Sequence, residues 1–238
     1  RLPKSKIKQA KEACGQAGMR LYHGVPSLQE KGYHRGVSSG VGFVAMAGVA
    51  LRPVTPIGGA WTRLHGMKRL HVCAVAKASD LPVGMWLVSL YAPPRDHRDR
   101  QAFEGEMGSL VASWDMRKPI VLMGDFNSQL DAPGSVQCSL LSQLMGPGGA
   151  FRDAHDTCGK PLEWTFTSTV AETGPKTRID RILVNRAAAE LLLDAGAEAS
   201  ICGHRPLWVK LQLELGRMDW FPEVRRLPEA LVRVGSSE

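Results

Sequence analysis

The stretch from residue 119 to residue 127 constrains the fold of this chain more than any other part of the sequence. Its apolar run, residues 120–123, is too short for a helix and is typical of a strand buried on both faces. Gly124 ends the run and permits a sharp turn of the backbone. Asp125 and Asn127 then follow at the carboxyl end of the predicted strand, where open α/β sheets bind their ligands.

A carboxylate and an amide one residue apart suit phosphate-ester chemistry. Asp125 can orient a water molecule or bind a hard cation, and Asn127 can donate a hydrogen bond to a phosphoryl oxygen. A strand that runs into an Asx-turn explains the same stretch equally well. The choice between the two interpretations therefore depends on partner residues elsewhere in the chain.

The composition is that of a globular protein with a large core. The chain has 238 residues, of which 44% are hydrophobic and 22% charged. No apolar run reaches the length of a membrane span, so we expect no membrane partner. The five cysteines form no Cys-x-x-Cys pair, which argues against a zinc site or a disulfide framework and favours an intracellular location. The net charge of +7 and the pI near 9.3 favour a polyanionic partner.

Hydrophobic periodicity predicts strands and helices along most of the chain. The predicted strands are residues 19–23, 40–46, 68–76, 85–91, 120–123, 164–167, 178–184 and 207–215, with 164–167 and 178–184 as the two arms of a strand pair. The predicted helices are residues 5–18, 103–114 (capped by Asp96 or Asp99), 135–145 and 187–193, and residues 24–39 are predicted to form a loop. Strands that outnumber helices, with hairpins among the crossovers, favour an α/β four-layer sandwich of two packed mixed β-sheets flanked by helices.

Four short segments stand in an order that is distinctive when they are taken together. They are Leu90–Pro93 (Leu-Tyr-Ala-Pro), Gly124–Asn127 (Gly-Asp-Phe-Asn), Arg178–Leu183 (Arg-Ile-Asp-Arg-Ile-Leu) and Gly203–Pro206 (Gly-His-Arg-Pro), with Trp164–Thr165 before the third. In order and spacing they resemble the endonuclease/exonuclease/phosphatase family, which includes the DNase-I-like nucleases, apurinic endonucleases and non-LTR retrotransposon endonucleases. The resemblance spans residues 6–215, so we expect one domain over residues 1–216 and a tail or linker over 217–238.

The resemblance implies a role for each site residue. Asp125 would orient or deprotonate the attacking water, and Asn127 would hold the phosphate or the Asp125 side chain. His204 would contact the scissile phosphate or handle a proton, and Asp180 would fix its tautomer and charge. Tyr91 would offer its hydroxyl to the phosphate. The cofactor would be Mg²⁺ or Mn²⁺, with Asp125 and Asn127 among its ligands.

Each of these residues also has a plainer interpretation. Tyr91 alone fits a rim aromatic beside Pro93 equally well, and His204 alone fits a surface histidine before a proline. The segment His155–Cys158 matches no zinc spacing and is interpreted as a loop. Three arginines after Tyr91, namely Arg95, Arg98 and Arg100, fit either contacts to a nucleic-acid backbone or a solvated helix start.

The sequence departs from the family pattern in two places. The family usually has Ser-Asp-His near its carboxyl end, where this chain has Cys202-Gly203-His204, so a carboxylate that would help bind metal is absent. The family also takes an Asn and a metal-binding Glu from two early strands, and we expect a domain that lacks those strands. Residues 28–30 spell the family's Leu-Gln-Glu motif but follow Pro26, so Glu30 is interpreted as an exposed loop residue, with metal ligation as the minority alternative.

Three functions are compatible with these features. The leading hypothesis is a divalent-metal-dependent phosphodiester hydrolase, a DNA endonuclease of apurinic or retroelement type whose activity the two departures weaken. Its partner would be DNA, with RNA as an alternative, and its location would be intracellular, with the nucleus as the narrower alternative. The other two are a catalytically degenerate domain that binds nucleic acid or protein, and an inositol-phosphate phosphatase of the same fold.

Overall fold

The computed structural model describes residues 4–23, 41–46, 49, 51–75, 84–94, 98–128, 139–167, 174–199 and 203–212. The loop predicted at 24–39, including Glu30, and the tail predicted at 217–238 lie outside these residues. Residues 135–138 of the third predicted helix, together with Arg95 and Asp96, lie outside them too.

The described residues form strands and short helices in alternation. The strands are β1 (Met19–His23), β2 (Gly42–Met46), β3 (Leu51–Pro53), β4 (Leu70–Val75), β5 (Met85–Tyr91), β6 (Ile120–Asp125), β7 (Phe151–Asp153), β8 (Phe166–Thr167), β9 (Lys176–Thr177), β10 (Asp180–Asn185), β11 (Leu192–Ala197) and β12 (Leu207–Leu211). The helices are α1 (Lys4–Gln16), α2 (Gly59–Gly66), α3 (Arg100–Ala112), α4 (Ser139–Met145), α5 (Ala154–Thr157) and α6 (Arg186–Ala189). None of these helices combines the length and the apolar character that a membrane span requires.

The main sheet has six strands in the order β3-β4-β5-β6-β10-β7. It is mixed, because β5 and β6 run parallel while the other neighbours run antiparallel. Strand β6 lies inside this sheet, and Ile120, Val121 and Leu122 are fully buried. The prediction of a strand buried on both faces is therefore confirmed.

Each face of the main sheet packs against a different layer. On one face Val88 and Leu122 contact a core that Trp61 of α2, Phe103 of α3 and Leu140 of α4 complete. On the other face the sheet packs against two smaller sheets, β1–β2 and β11–β12. Burial of both faces of a sheet stabilises a layered α/β fold. The predicted α/β sandwich with packed sheets and flanking helices is confirmed.

Residues 187–193 do not form the predicted helix. Helix α6 ends at Ala189, and residues 192–193 already belong to β11, which pairs with β12. The Asn185 side chain caps α6, because its Oδ1 accepts from the Ala188 N–H at 3.0 Å. Alanine and leucine favour a helix locally, but the pairing of β11 overrides that propensity.

Two further local predictions are wrong. Residues 155–157 lie in the short helix α5 rather than in a loop, and Asp153 caps it by accepting from the His155 N–H at 3.0 Å. Residues 180–185 do not pair with 164–167, because β10 joins β6 and β7 while β8 pairs with β9. Strand partners depend on tertiary packing, which hydrophobic periodicity does not encode.

Four further elements were not predicted, namely β3, α2, β7 and β9. All four are too short to give a strong periodic signal. The strands predicted at 68–76 and 85–91 fit β4 and β5 closely, and the helix at 103–114 corresponds to α3. Asp99 occupies the N-cap position of α3, but its side chain makes no capping hydrogen bond.

Candidate active site

Three of the predicted site residues lie in one row across neighbouring strands. The register places Asp125 of β6 opposite Tyr91 of parallel β5 and opposite Asp180 of antiparallel β10. Side chains that stand opposite each other in a sheet point to the same face. This row is on the face that packs toward the two-stranded sheets, because Val121 and Met123 of β6 point there too. Strand pairing thus brings together residues that are far apart in the sequence.

The turn after β6 fixes the Asp125 carboxylate. Gly124 has φ 147°, and a Cβ there would lie 1.9 Å from the Leu90 carbonyl oxygen, so a larger residue would be excluded. The Asn127 backbone N–H donates to Asp125 Oδ1 at 2.8 Å, and Asn127 Nδ2 donates to Asp125 Oδ2 at 3.2 Å. Asn127 Nδ2 also donates to the Ala92 carbonyl at 2.8 Å. The Asx-turn that the sequence left open as an alternative is present, and it orients the carboxylate.

Burial shifts the pKa of Asp125 towards neutrality. The loss of hydration raises this pKa from 3.8 to about 6, although the hydrogen bond from the Asn127 N–H opposes the shift. The nearby Asp180 carboxylate raises the pKa further, and the charges of His204 and Arg100 lower it. A carboxyl group with such a pKa exchanges protons readily near neutral pH.

Asp180 and His204 form a hydrogen-bonded pair. His204 Nδ1 lies 3.0 Å from Asp180 Oδ2, and the imidazole also packs against the Phe166 ring, tilted by 50° with 4.6 Å between ring centroids. The hydrogen bond to Asp180 raises the pKa of His204, burial opposes it, and the charges of Asp180 and Asp125 add to the rise. A proton on Nδ1 that faces Asp180 leaves Nε2 as the ring atom for contact with a substrate.

Tyr91 lies beside a buried arginine that the sequence analysis did not single out. The Tyr91 ring is half-buried, and the Arg69 guanidinium carbon lies 5.3 Å from its centroid. Arg69 is only 4% exposed and precedes β4 directly. A basic residue at the start of an apolar strand was the available signal. The contact of the Tyr91 hydroxyl with a phosphate stays a prediction.

Arg100 has a role that neither sequence interpretation anticipated. It is 7% exposed, so it lies neither on a nucleic-acid surface nor at a solvated helix start. Its Nη1 donates to the carbonyl oxygens of Pro93 at 2.7 Å and Phe126 at 2.8 Å, and its Nη2 donates to Ser128 Oγ at 2.6 Å. Arg100 therefore ties together the segments that follow β5 and β6. Arg98, in contrast, is exposed and lies 3.6 Å from Asp99.

The backbone explains why residue 203 is a glycine. Gly203 has φ 86°, a conformation that residues with a Cβ adopt at a cost. A Cβ at this position would lie 2.8 Å from the Thr167 carbonyl oxygen. The Thr167 N–H donates to the Gly203 carbonyl at 2.9 Å, which holds the two segments together. An aspartate here, as in the usual family motif, would require the segment to shift.

The donor atoms at this site suit a hard cation. The Asp125 carboxylate and the Asn127 Oδ1 are oxygen ligands of the kind that Mg²⁺ or Mn²⁺ takes. In the part of the chain that the structure describes, no three His, Cys, Asp or Glu residues are grouped to hold a metal ion. Asp125 and Asn127 would therefore leave most positions around the cation to water, as Mg²⁺ sites commonly do.

The model of the endonuclease/exonuclease/phosphatase family matches residues 22–197, well over half of the chain. The chain belongs to this family. The resemblance inferred from the four motifs is thereby confirmed, and the matched residues include Tyr91, Asp125, Asn127 and Asp180. His204 lies beyond the matched segment. The search of curated proteins found no match.

Several solved structures share the fold at low sequence identity. A 3′ phosphatase from Neisseria bound to a product DNA hairpin is 17% identical, with a TM-score of 0.60, and the alignment covers 89% of this chain and 85% of that chain. An AP endonuclease from Archaeoglobus fulgidus is 17% identical, with a TM-score of 0.57, covering 84% of this chain and 82% of that chain. The endonuclease domain of TRAS1, a telomere-specific non-LTR retrotransposon, is 14% identical, with a TM-score of 0.55, covering 83% and 80%.

Proposed function

We propose that this chain is a divalent-metal-dependent phosphodiester hydrolase that nicks DNA, an endonuclease of apurinic or retroelement type. One observation carries the proposal. This chain belongs to the family, and its Asp125 carboxyl group has a pKa of about 6. Asp125 lies opposite Asp180 in the sheet, and Asp180 is hydrogen-bonded to His204. Hydrolysis of a phosphodiester requires a base for water and positive charge near the phosphoryl oxygens.

Each residue has a defined role in the proposed reaction. At neutral pH Asp125 is mostly ionised, so it accepts a proton from the attacking water, and Asn127 holds its carboxylate in place. His204, whose pKa Asp180 raises, is more often protonated than a free histidine, so its Nε2 donates to a phosphoryl oxygen. Tyr91 donates its hydroxyl to the same phosphate. Asp125 and Asn127 would hold Mg²⁺ or Mn²⁺, which would supply Lewis-acid stabilisation of the phosphate charge.

Charges around the site support a nucleic-acid substrate. Trp164 precedes Thr165 in the chain and contacts two cations, with Lys176 Nζ 4.7 Å from its ring and the Arg205 guanidinium carbon 5.0 Å from it. Arg205 follows His204 directly and also pairs with Glu163. With the net charge of +7, these cations favour a phosphate backbone. The similar DNA-bound phosphatase and the two similar endonucleases also support a nucleic-acid substrate.

Nicking of supercoiled plasmid in the presence of Mg²⁺ tests the proposal, with and without abasic sites in the DNA. We expect nicking by the wild type, and D125N or H204A should reduce its rate by about 10² to 10⁴-fold. D115N is a suitable control, because Asp115 is an exposed carboxylate that pairs with Arg117 far from this row. Equal nicking by the wild type and D125N would contradict the assigned base. Cleavage of an RNA of equal length, and not of DNA, would favour RNA as the substrate.

The degenerate binding domain is the second candidate, and Gly203 favours it. The glycine removes a carboxylate from the family motif, and no metal-binding group of three appears among the residues that the structure describes. This candidate predicts salt-sensitive binding to duplex DNA without any nicking. Binding that does not respond to salt, together with phosphate release from inositol phosphates, would instead favour the phosphatase.

A further inference from the structure

Thr165 is hydrogen-bonded to both segments that carry the Asp180–His204 pair. Its side chain is fully buried. Its Oγ1 accepts from two successive backbone N–H groups, those of Ile179 at 3.1 Å and Asp180 at 2.9 Å. Its carbonyl oxygen accepts from the N–H of Arg205, the neighbour of His204, at 2.7 Å. One residue thus joins the start of β10 to the histidine segment.

The Thr165 hydroxyl occupies the place of a missing strand partner. Strand β10 pairs with β6 along its length, but β7 pairs with it only from Leu183 to Asn185. Among the described residues, no strand therefore pairs with the start of β10 on the β7 side. A buried backbone N–H without an acceptor destabilises a fold, so the hydroxyl keeps Asp180 in register.

The residue after Thr165 restrains the other member of the pair. Phe166 forms an isolated β-bridge with His204, and its ring packs against the imidazole at a tilt of 50° with 4.6 Å between centroids. The Thr165 N–H donates to the carbonyl of Thr177 in β9 at 2.8 Å, which holds the Thr165–Phe166 segment against β9. Contacts from two consecutive residues therefore determine where the carboxylate and the imidazole meet.

We propose that Thr165 is a positioning residue that sets the geometry between Asp180 and His204 for the phosphodiester chemistry, an inference that rests on the proposed function. Thr165 does not touch the reacting atoms. Its effect passes through the two hydrogen bonds that its Oγ1 accepts from the backbone N–H groups of Ile179 and Asp180. Valine has nearly the shape of threonine but no acceptor, so T165V removes those bonds and leaves the packing in place.

Kinetics of the T165V protein give the first test. Misplacement of a catalytic pair by about 1 Å is enough for a rate loss of about 100-fold, so we expect kcat to fall by that order while KM changes little. T165S keeps the hydroxyl and should restore most of kcat. T167V is the matched control, since Thr167 is 1% exposed, lies in the same segment, and has an Oγ1 without a hydrogen-bond partner among the described residues.

The titration of the His204 imidazole, followed by NMR, gives a second test that does not depend on catalysis. The wild type and D180N define the upper and lower limits of the His204 pKa. T165V should move the pKa from the wild-type limit toward the D180N limit, while T165S and T167V should stay at the wild-type limit. If T165V does not fold, T165C takes its place, because a thiol is a weak acceptor of similar size.

The outcomes separate this inference from the proposed function. A folded T165V or T165C protein with the wild-type His204 pKa would overturn the positioning role, and so would a T167V protein with the same loss as T165V. A T165S protein that behaves like T165V would overturn it as well. A different pair of results would refute the proposed function and leave the positioning role intact. In that case the wild type never nicks DNA, yet T165V and D180N lower the His204 pKa while T165S and T167V do not.

Discussion

Two carboxylates at the ends of strands in the same sheet have opposite ionisation behaviour. Asp125 ends β6 and has a pKa of about 6, whereas Asp153 ends β7 and has a pKa of about 2. Burial raises the pKa of both. At Asp153 the His155 imidazole, 3.7 Å away, and the guanidinium groups of Arg178 and Arg181 outweigh the effect of burial. At Asp125 the partners are mainly backbone and amide N–H groups, and a second carboxylate lies opposite.

The difference shows that the partner, rather than the depth of burial, decides what a carboxylate does. Arg178 Nη2 lies 3.0 Å from both oxygens of Asp153, and Arg181 Nη1 lies 3.1 Å from one of them. Asp153 therefore stays ionised and links β7 to β10 as part of the core. Among the residues that the structure describes, none forms such an ion pair with Asp125, which changes charge near the pH at which it would work.

The largest expected effect comes from breaking the Asp153 cluster. D153N leaves two buried guanidinium groups without their carboxylate, so we expect the free energy of unfolding to fall by about 3 to 5 kcal/mol. Denaturant unfolding followed by circular dichroism measures this change. A fall of less than about 1 kcal/mol would mean that other groups neutralise the arginines.

The same substitution at Asp125 should act in the opposite direction. Because the pKa of Asp125 in the folded protein lies above its ordinary value of 3.8, the folded state binds a proton more tightly than the unfolded state. Wild-type stability should therefore fall as pH rises from about 4 to about 6, and D125N should lack that fall. At pH 7 we expect D125N to be more stable than the wild type by up to about 3 kcal/mol. A D125N protein that is less stable at pH 7 would refute the assigned pKa.

A smaller effect is expected in acid, where Asp153 loses its charge. Because its pKa in the folded protein lies below the ordinary 3.8, its contribution to stability is complete above about pH 4. The contribution should be lost as pH falls toward 2, by about 2 kcal/mol. The difference between the unfolding free energies of the wild type and D153N, measured from pH 5 to pH 2, reports this loss. A difference that stays constant over this range would contradict it.

The smallest effect is expected at an exposed carboxylate. Asp115 also pairs with an arginine, Arg117, but the side chains are 40% and 90% exposed. Water screens such a pair, so D115N should unfold like the wild type in the same denaturant series. Marked destabilisation of D115N would mean that arginine pairing itself, rather than buried arginine pairing, distinguishes Asp153 from Asp125.

Much of the candidate site was predictable from the sequence, because its motifs are local. The apolar run before Asp125 predicted a buried strand, and the Asp125-Phe-Asn127 spacing offered the Asx-turn that the structure contains as one of two interpretations. The strand predicted from residue 178 contains Asp180, and β10 begins at that residue. Residues one or two positions apart can form hydrogen bonds within the same turn, so their geometry depends mainly on the local sequence.

Other features depended on distant parts of the chain. The roles of Arg100 and Thr165 follow from hydrogen bonds to residues that lie 7 to 28 and 14 to 15 positions away. The end of α6 at Ala189 follows from the pairing of β11 with β12. Local propensity carries no information about such partners, so the pattern of Ala187 to Leu193 favoured a helix that extends beyond the end of α6.

The sequence by itself determined the family, the α/β class and the chemical identity of the groups at the end of β6. The reason is that the order and spacing of motifs can be identified without any knowledge of contacts. Only the tertiary structure decided that Asp125 faces Asp180 while Asp153 faces two arginines. The physical reason is that ionisation depends on the charges and the hydration around a group after folding, and strand register fixes both.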